Sequence, residues 1–149
     1  MLNLGFFFLL STVSVALAAQ QCLTVLGQVK CGSRAADQPV FIKLIDEDAG
    51  GPDDWMDEGY ASKTGYFHLH GCASDPFGMT IDPALRIYHK CKGEGYRRTI
   101  ILPKAAVKSG IYKFNATIDL SSNEKTDEKH KYQVTPCSKL GTSTGKPKK

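Results

Sequence analysis

Leu85-Arg-Ile-Tyr-His-Lys90 decides the fold, because its side chains alternate: Leu85, Ile87 and His89 against Arg86, Tyr88 and Lys90. A period of two sets the residues of an extended strand on opposite faces. The same signal recurs outward from it. Arg97-Arg-Thr-Ile-Ile-Leu102 reads as the next strand, and Pro103–Lys108 as a helical turn or two, since proline is tolerated at a helix start. Ile111 to Leu120 reads as the longest strand, with Tyr112, Phe114, Ala116, Ile118 and Leu120 on one face. Upstream, Leu23–Lys30 and Val40–Asp46 are strand-like. Tyr60–His70 resembles a hairpin in which Gly65 takes the left-handed turn position, with Phe67 and Leu69 facing away from Tyr66, His68 and His70. Asn123–Lys131 reads as a loop or polar extension, and Tyr132–Thr135 as a last short strand. About six to eight short strands, with turns every eight to twelve residues or so, predict an all-β chain folded as a two-sheet β-sandwich of short antiparallel strands.

The ends carry different information. Met1 to Ala19 holds no charged side chain, runs apolar from Leu4 to Leu10, and closes on Ala16-Leu-Ala18. That order predicts a signal peptide over 1–18, cleaved after Ala18, and so a secreted, extracellular chain. A retained membrane anchor is the rival reading, but Ser11–Ala18 is too weakly hydrophobic for a spanning helix of ~20 apolar residues. Residues 19–137 are then one domain, and 138–149 a basic tail too rich in small and charged residues to bury. The formal charge of +4 belongs to that tail. Without Lys139, Lys146, Lys148 and Lys149, the fifteen remaining basic residues equal the fifteen acids. A near-neutral body argues against nucleic acid as a partner.

Five cysteines, Cys22, Cys31, Cys72, Cys91 and Cys137, enter an oxidising compartment and are expected to form disulfides, with one left over. Spacing alone does not choose among the pairings. A bridge from Cys31 to Cys91 would contribute roughly 4 kcal/mol on the loop-entropy estimate. No Cys-x-x-Cys pair supports zinc.

The pieces fall in an order that resembles the nematode transthyretin-like family: Gly27-Gln-Val-Lys-Cys31, Val40-Phe-Ile-Lys-Leu-Ile-Asp-Glu-Asp48, Pro52-Asp-Asp-Trp-Met-Asp-Glu-Gly59, Thr64-Gly-Tyr-Phe67, Ile81-Asp-Pro83 and, above all, Ile87-Tyr-His-Lys-Cys91. The resemblance covers roughly residues 24–137. It implies a transthyretin-like sandwich, a secreted protein, and recognition or bridging roles, including toward phospholipid exposed on dying cells. Where the family usually has a second cysteine before its basic pair, this chain has Tyr96 ahead of Arg97-Arg98. The family's bonding pattern is therefore not carried over. The related hydroxyisourate hydrolases end in Tyr-Arg-Gly-Ser, whereas this sequence ends in lysines.

Candidate sites follow from residue chemistry. Asp46 to Glu58 carries seven carboxylates in thirteen residues, read as an acidic loop around Trp55. Asp46, Asp48, Asp53 and Asp54 are calcium candidates, calcium being a hard cation that takes several oxygen ligands. A solvated loop, or a partner surface anchored by Trp55, are the other readings. His68 and His70 share a strand face about 7 Å apart, so His89 is either a third metal ligand or a buried, neutral histidine. Lys90, Arg97 and Arg98, with Lys92, form a basic cluster suited to an anionic headgroup or sulfated glycan. Asn115-Ala-Thr117 is a glycosylation sequon. No nucleophile, base and orienter stand together, and no serine elbow occurs, so the chain reads as a binding protein rather than an enzyme. Its partner is expected to be an extracellular protein or an anionic lipid surface, bound through sandwich-edge loops. The alternative is a carrier of a small apolar ligand at a subunit interface.

Overall fold

The computed structural model describes residues 19–33, 39–48 and 50–131. Nine strands, one short α-helix and a 3₁₀ turn at Pro76–Gly78 lie among them: β1 (Gln21–Lys30), β2 (Phe41–Asp46), β3 (Asp54–Tyr60), β4 (Tyr66–Ala73), β5 (Pro83–Lys92), β6 (Glu94–Ile101), α1 (Lys104–Ser109), β7 (Ile111–Lys113), β8 (Ile118–Asp119) and β9 (Asp127–Lys129). They form two sheets. One runs β4-β1-β7, with β8 also pairing β1, and the other runs β3-β2-β5-β6-β9. The five-stranded sheet is antiparallel throughout. In the other, β4 pairs β1 antiparallel, while β7 and β8 add short parallel pairings. No helix among the described residues is long and apolar enough to cross a membrane. The signal segment, Tyr132–Thr135, Cys137 and the basic tail lie outside the described residues.

Alternation builds the core. Leu23, Val25 and Val29 of β1, Phe67 and Leu69 of β4, Ile42 and Leu44 of β2, and Leu85 and Ile87 of β5 meet between the sheets. Burying each such side chain contributes about 1.5–3 kcal/mol. Pro103 precedes α1, and Gly110 closes it in the left-handed conformation. Ala106 and Val107 of this helix plug one end of the core.

Three expectations change. The Tyr60–His70 hairpin is a crossing instead: β3 pairs with β2 and β4 with β1, so the turn from Ala61 carries the chain between sheets. Ala61 N–H donates to Val40 C=O on one side, and Val29 N–H to Gly65 C=O on the other, both at 2.9 Å. The Ile111–Leu120 strand is broken at 114–117. Leu26 faces Lys113 and Val29 faces Ile118, so five steps of this segment span three of β1, and the surplus arches outward. Residues 54–58 of the acidic segment belong to strand β3 rather than to a loop. At a sheet edge, charged side chains keep the strand from pairing with another molecule.

Gly65 is where the crossing is most constrained. Its φ is +83°, and a Cβ there would lie 2.0 Å from the Val29 carbonyl oxygen. Gly65→Ala is therefore expected to cost at least about 2 kcal/mol, since the left-handed backbone alone disfavours a side chain by 1–2. A urea midpoint unchanged from the parent would contradict this.

Candidate binding surfaces

The acidic segment is divided among structural tasks. Asp46, 1% exposed at the end of β2, accepts the Asp82 N–H at 2.6 Å and so fastens the approach to β5. Burial, then the neighbouring Asp75, Asp48 and Asp82 charges, raise its pKa against the lowering pull of the Asp82 N–H. Asp53 pairs with Arg86 at 2.6 Å, and Asp54 stands opposite Asp46 across the β2–β3 ladder. Asp57 accepts the His70 N–H at 2.8 Å, which links the β3 and β4 edges. Among the described residues, no three His, Cys, Asp or Glu side chains group so as to hold a metal. Asp48 still feels its neighbours: burial, then the Asp54, Asp75, Asp53 and Asp82 charges, raise its pKa, while Arg86 partners Asp53. Trp55 points outward from edge strand β3, 63% exposed, while Met56 turns into the core against Gly71.

The cysteines settle as Cys22–Cys72 and Cys31–Cys91. The first joins directly opposed residues of β1 and β4, and the second joins the two sheets. Cys137 is the fifth cysteine and lies outside the described residues. Tyr96 stacks on His89 with ring centroids 6.1 Å apart.

The basic cluster comes apart in an informative way. Arg98 is 3% exposed, and its Nε and Nη2 donate to the two Asp127 oxygens at 2.7 and 3.0 Å. Its Nη1 and Nη2 also reach the Asp119 and Ser122 carbonyls at 2.8 and 2.7 Å. Arg97 pairs with Glu128, and Lys92 with Asp127 and Asn123. Asp127 and Glu128 therefore take up Arg97, Arg98 and Lys92, and of that basic cluster Lys90 alone stays exposed and outside these pairs. These internal pairs fix β9 on β6, and that brings Lys129, His130 and Lys131 to the β5–β6 hairpin. His130 N–H donates to Gly95 C=O at 2.9 Å, and its ring lies 5.2 Å from that of Tyr88. Lys90, Lys129, His130 and Lys131 line a pocket of about 650 Å³ whose only carboxylate among the described residues is Glu94, paired with Lys129 at 2.9 Å. The sequence reading missed this site, since it took Asn123–Lys131 as a polar extension. The acidic pair Asp127-Glu128 followed by the basic Lys129-His-Lys131 was the available signal.

A second concavity, about 560 Å³, lies beside the 114–117 arch. Gly27 is its floor: a Cβ there would fall 2.6 Å from Phe67 Cζ and 3.0 Å from Phe114 Cδ2. Asn115 stands exposed on its wall. His68 is exposed nearby, and His70 Nδ1 shares a 2.9 Å hydrogen bond with Thr24 Oγ1. His89 lies in the interior, 2% exposed, so it is no third ligand to the pair. Its Nδ1 accepts the Cys91 N–H at 3.3 Å, and burial, followed by the Arg98 charge, lowers its pKa from 6.5 to about 4.

A two-sheet, disulfide-linked sandwich with shallow sites at its edges defines a binding scaffold. Residues 26–109 match the model of the Transthyretin-like family, and the chain belongs to that family. It is similar to Transthyretin-like protein 46 of Caenorhabditis elegans, 34% identical over 116 residues, which cover 73% of this chain and 63% of that protein. It is also similar to Transthyretin-like protein 33 of Caenorhabditis elegans, 37% identical over 111 residues, covering 69% and 73%. The chain thus spans less than two thirds of the first relative's length. Among solved structures, a 9R-lipoxygenase from Cyanothece PCC8801 overlaps 68% of this chain and 17% of its own, at 19% identity and a TM-score of 0.45. That likeness is too distant to support an argument.

Proposed function

We propose that this chain is a secreted bridging protein that binds an anionic phospholipid surface through its basic pocket and a protein through the opposite sheet edge. The observation that carries the reading is the pocket. Three lysines and a histidine from two separate chain segments face one carboxylate, which leaves an excess of positive charge where a phosphate fits. Each lysine near an anionic bilayer contributes about 1 kcal/mol, and the attraction fades beyond a Debye length. Trp55 lies on β3, the far edge of the same sheet from β9. Four strand spacings separate those edges by roughly 19 Å, far enough for both to be engaged together.

The test is co-sedimentation of the secreted, oxidised protein with phosphatidylserine-containing and neutral vesicles at physiological salt, with and without calcium. Selective, calcium-independent binding is expected, because the pocket's own lysines supply the attraction. The double variant Lys90→Gln/Lys131→Gln is expected to lose roughly thirtyfold in binding, at about 1 kcal/mol per lysine. Equal binding to both vesicle types would refute the lipid half of the proposal.

A further inference from the structure

We propose that the groove beside the β7–β8 arch is a cradle for this chain's own N-linked glycan, attached at Asn115. The inference rests on the secretory reading above. It begins with the register mismatch: the surplus residues between Lys113 and Ile118 leave the β1 edge, and 115–117 are all exposed. The sequon therefore sits on an outward arch, where a bulky substituent displaces no ladder partner. In the secretory lumen, the Asn115 side-chain nitrogen would displace the pyrophosphate of a lipid-linked oligosaccharide from its anomeric carbon. A C–N bond forms, the sugar–O bond to the lipid pyrophosphate breaks, and the amide nitrogen gives up one proton.

The groove fits what that reaction would deliver. A pyranose has an apolar C–H face and a rim of hydroxyls. Here Tyr66, 60% exposed, and the partly buried Phe114 give aromatic surface above the buried Phe67, and Gln28, Ser62 and His68 supply polar edges. Phe67 and Phe114 meet edge-on at 6.2 Å against Gly27, whose missing side chain makes room for both rings. Thr117 Oγ1 donates to Gln28 Oε1 at 3.1 Å and ties the arch to the groove wall. At about 560 Å³ the concavity lies within the roughly 300–1,000 Å³ of ligand-burying clefts. Tethering supplies the rest. A group held by a short linker is present at about millimolar effective concentration, so even weak sugar–aromatic contacts fill the groove and exclude free ligands.

The experiment uses the full chain secreted from a eukaryotic host, with glycopeptide mass spectrometry at Asn115. An environment-sensitive apolar dye is titrated against the glycosylated protein and against Asn115→Gln. The dye is expected to bind Asn115→Gln several-fold more tightly. Release of the glycan by an endoglycosidase from the native protein is expected to quicken several-fold in Tyr66→Ala, which a glycan that merely shields by bulk would not do. A secreted chain with an empty sequon, or one that carries a small apolar ligand there instead, overturns the cradle alone. So do a dye affinity and a release rate that neither variant changes. A chain retained in the cell without a glycan overturns the secretory reading with it.

Discussion

Arg98→Ala is expected to destabilise the fold by about 3–5 kcal/mol, the cost of removing one partner from a buried ion pair. The Asp127 side chain is 6% exposed, so without the guanidinium a nearly dry carboxylate keeps only Lys92 as a cationic partner. The Asp119 and Ser122 carbonyls lose the guanidinium donor in the same step, though the Ser122 hydroxyl still donates to the former. Burial alone would raise the Asp127 pKa, yet the hydrogen bonds from Arg98 and Lys92 outweigh it and hold the carboxyl well below the usual range. That depressed pKa contributes stability that is present above about pH 4, the unfolded value, and is lost as pH falls toward the folded one. Arg98→Ala should therefore flatten the acid limb of the stability curve as well as lower it. Arg98→Lys should recover only part, because one ammonium cannot reproduce a fork that spans two carboxylate oxygens and two carbonyls. Since the clamp seats β9, lipid binding is expected to fall in both variants. Urea unfolding measures the first effect, and a loss under about 1 kcal/mol would show that β9 is held by other contacts.

His89 gives the second large effect, in a different pH window. Its folded pKa of about 4 lies below the ordinary 6.5, so above pH 6.5 it is neutral in both states and stability is full. As pH falls from 6.5 to 4, the unfolded chain takes up a proton that the folded chain refuses, and stability drops. The span corresponds to about 3 kcal/mol, to be taken as an order of magnitude. Asp46, with its raised pKa, acts in the opposite sense, so the informative quantity is the difference between the parent and His89→Gln. The parent should lose stability across that window relative to the variant. Parallel curves would mean that the imidazole accepts its proton inside the fold.

The faces of the strands were legible because local alternation records them. His89 shares the Leu85 and Ile87 side, and it is buried with them. Phe67 and Leu69 point in while Tyr66, His68 and His70 point out. Partnership between strands is non-local, and there the sequence reading failed. Tyr60 and Tyr66 look like hairpin arms until β2 and β1 claim them from different sheets. The arch at 114–117 exists because of a register on β1, almost ninety positions upstream, that no window around Asn115 contains. The basic site followed the same logic. Arg97 and Arg98 looked available beside Lys90, but Asp127 and Glu128, about thirty positions on, bind them and deliver Lys129 and Lys131 in exchange. Acids on β3 looked like a loop because charge is scarce in strand interiors, a rule that edge strands escape.

The central claim is that the folded pocket, and not the basic tail, recognises the anionic surface. The measurement that tests it most directly compares anionic-vesicle affinity for three full-length proteins. These are the parent, Lys90→Gln/Lys131→Gln, and a variant with Lys139, Lys146, Lys148 and Lys149 all changed to glutamine. The pocket account predicts that the first variant loses roughly thirtyfold, at about 1 kcal/mol per lysine, and that the tail variant keeps most of its affinity. Loss confined to the tail variant would contradict it.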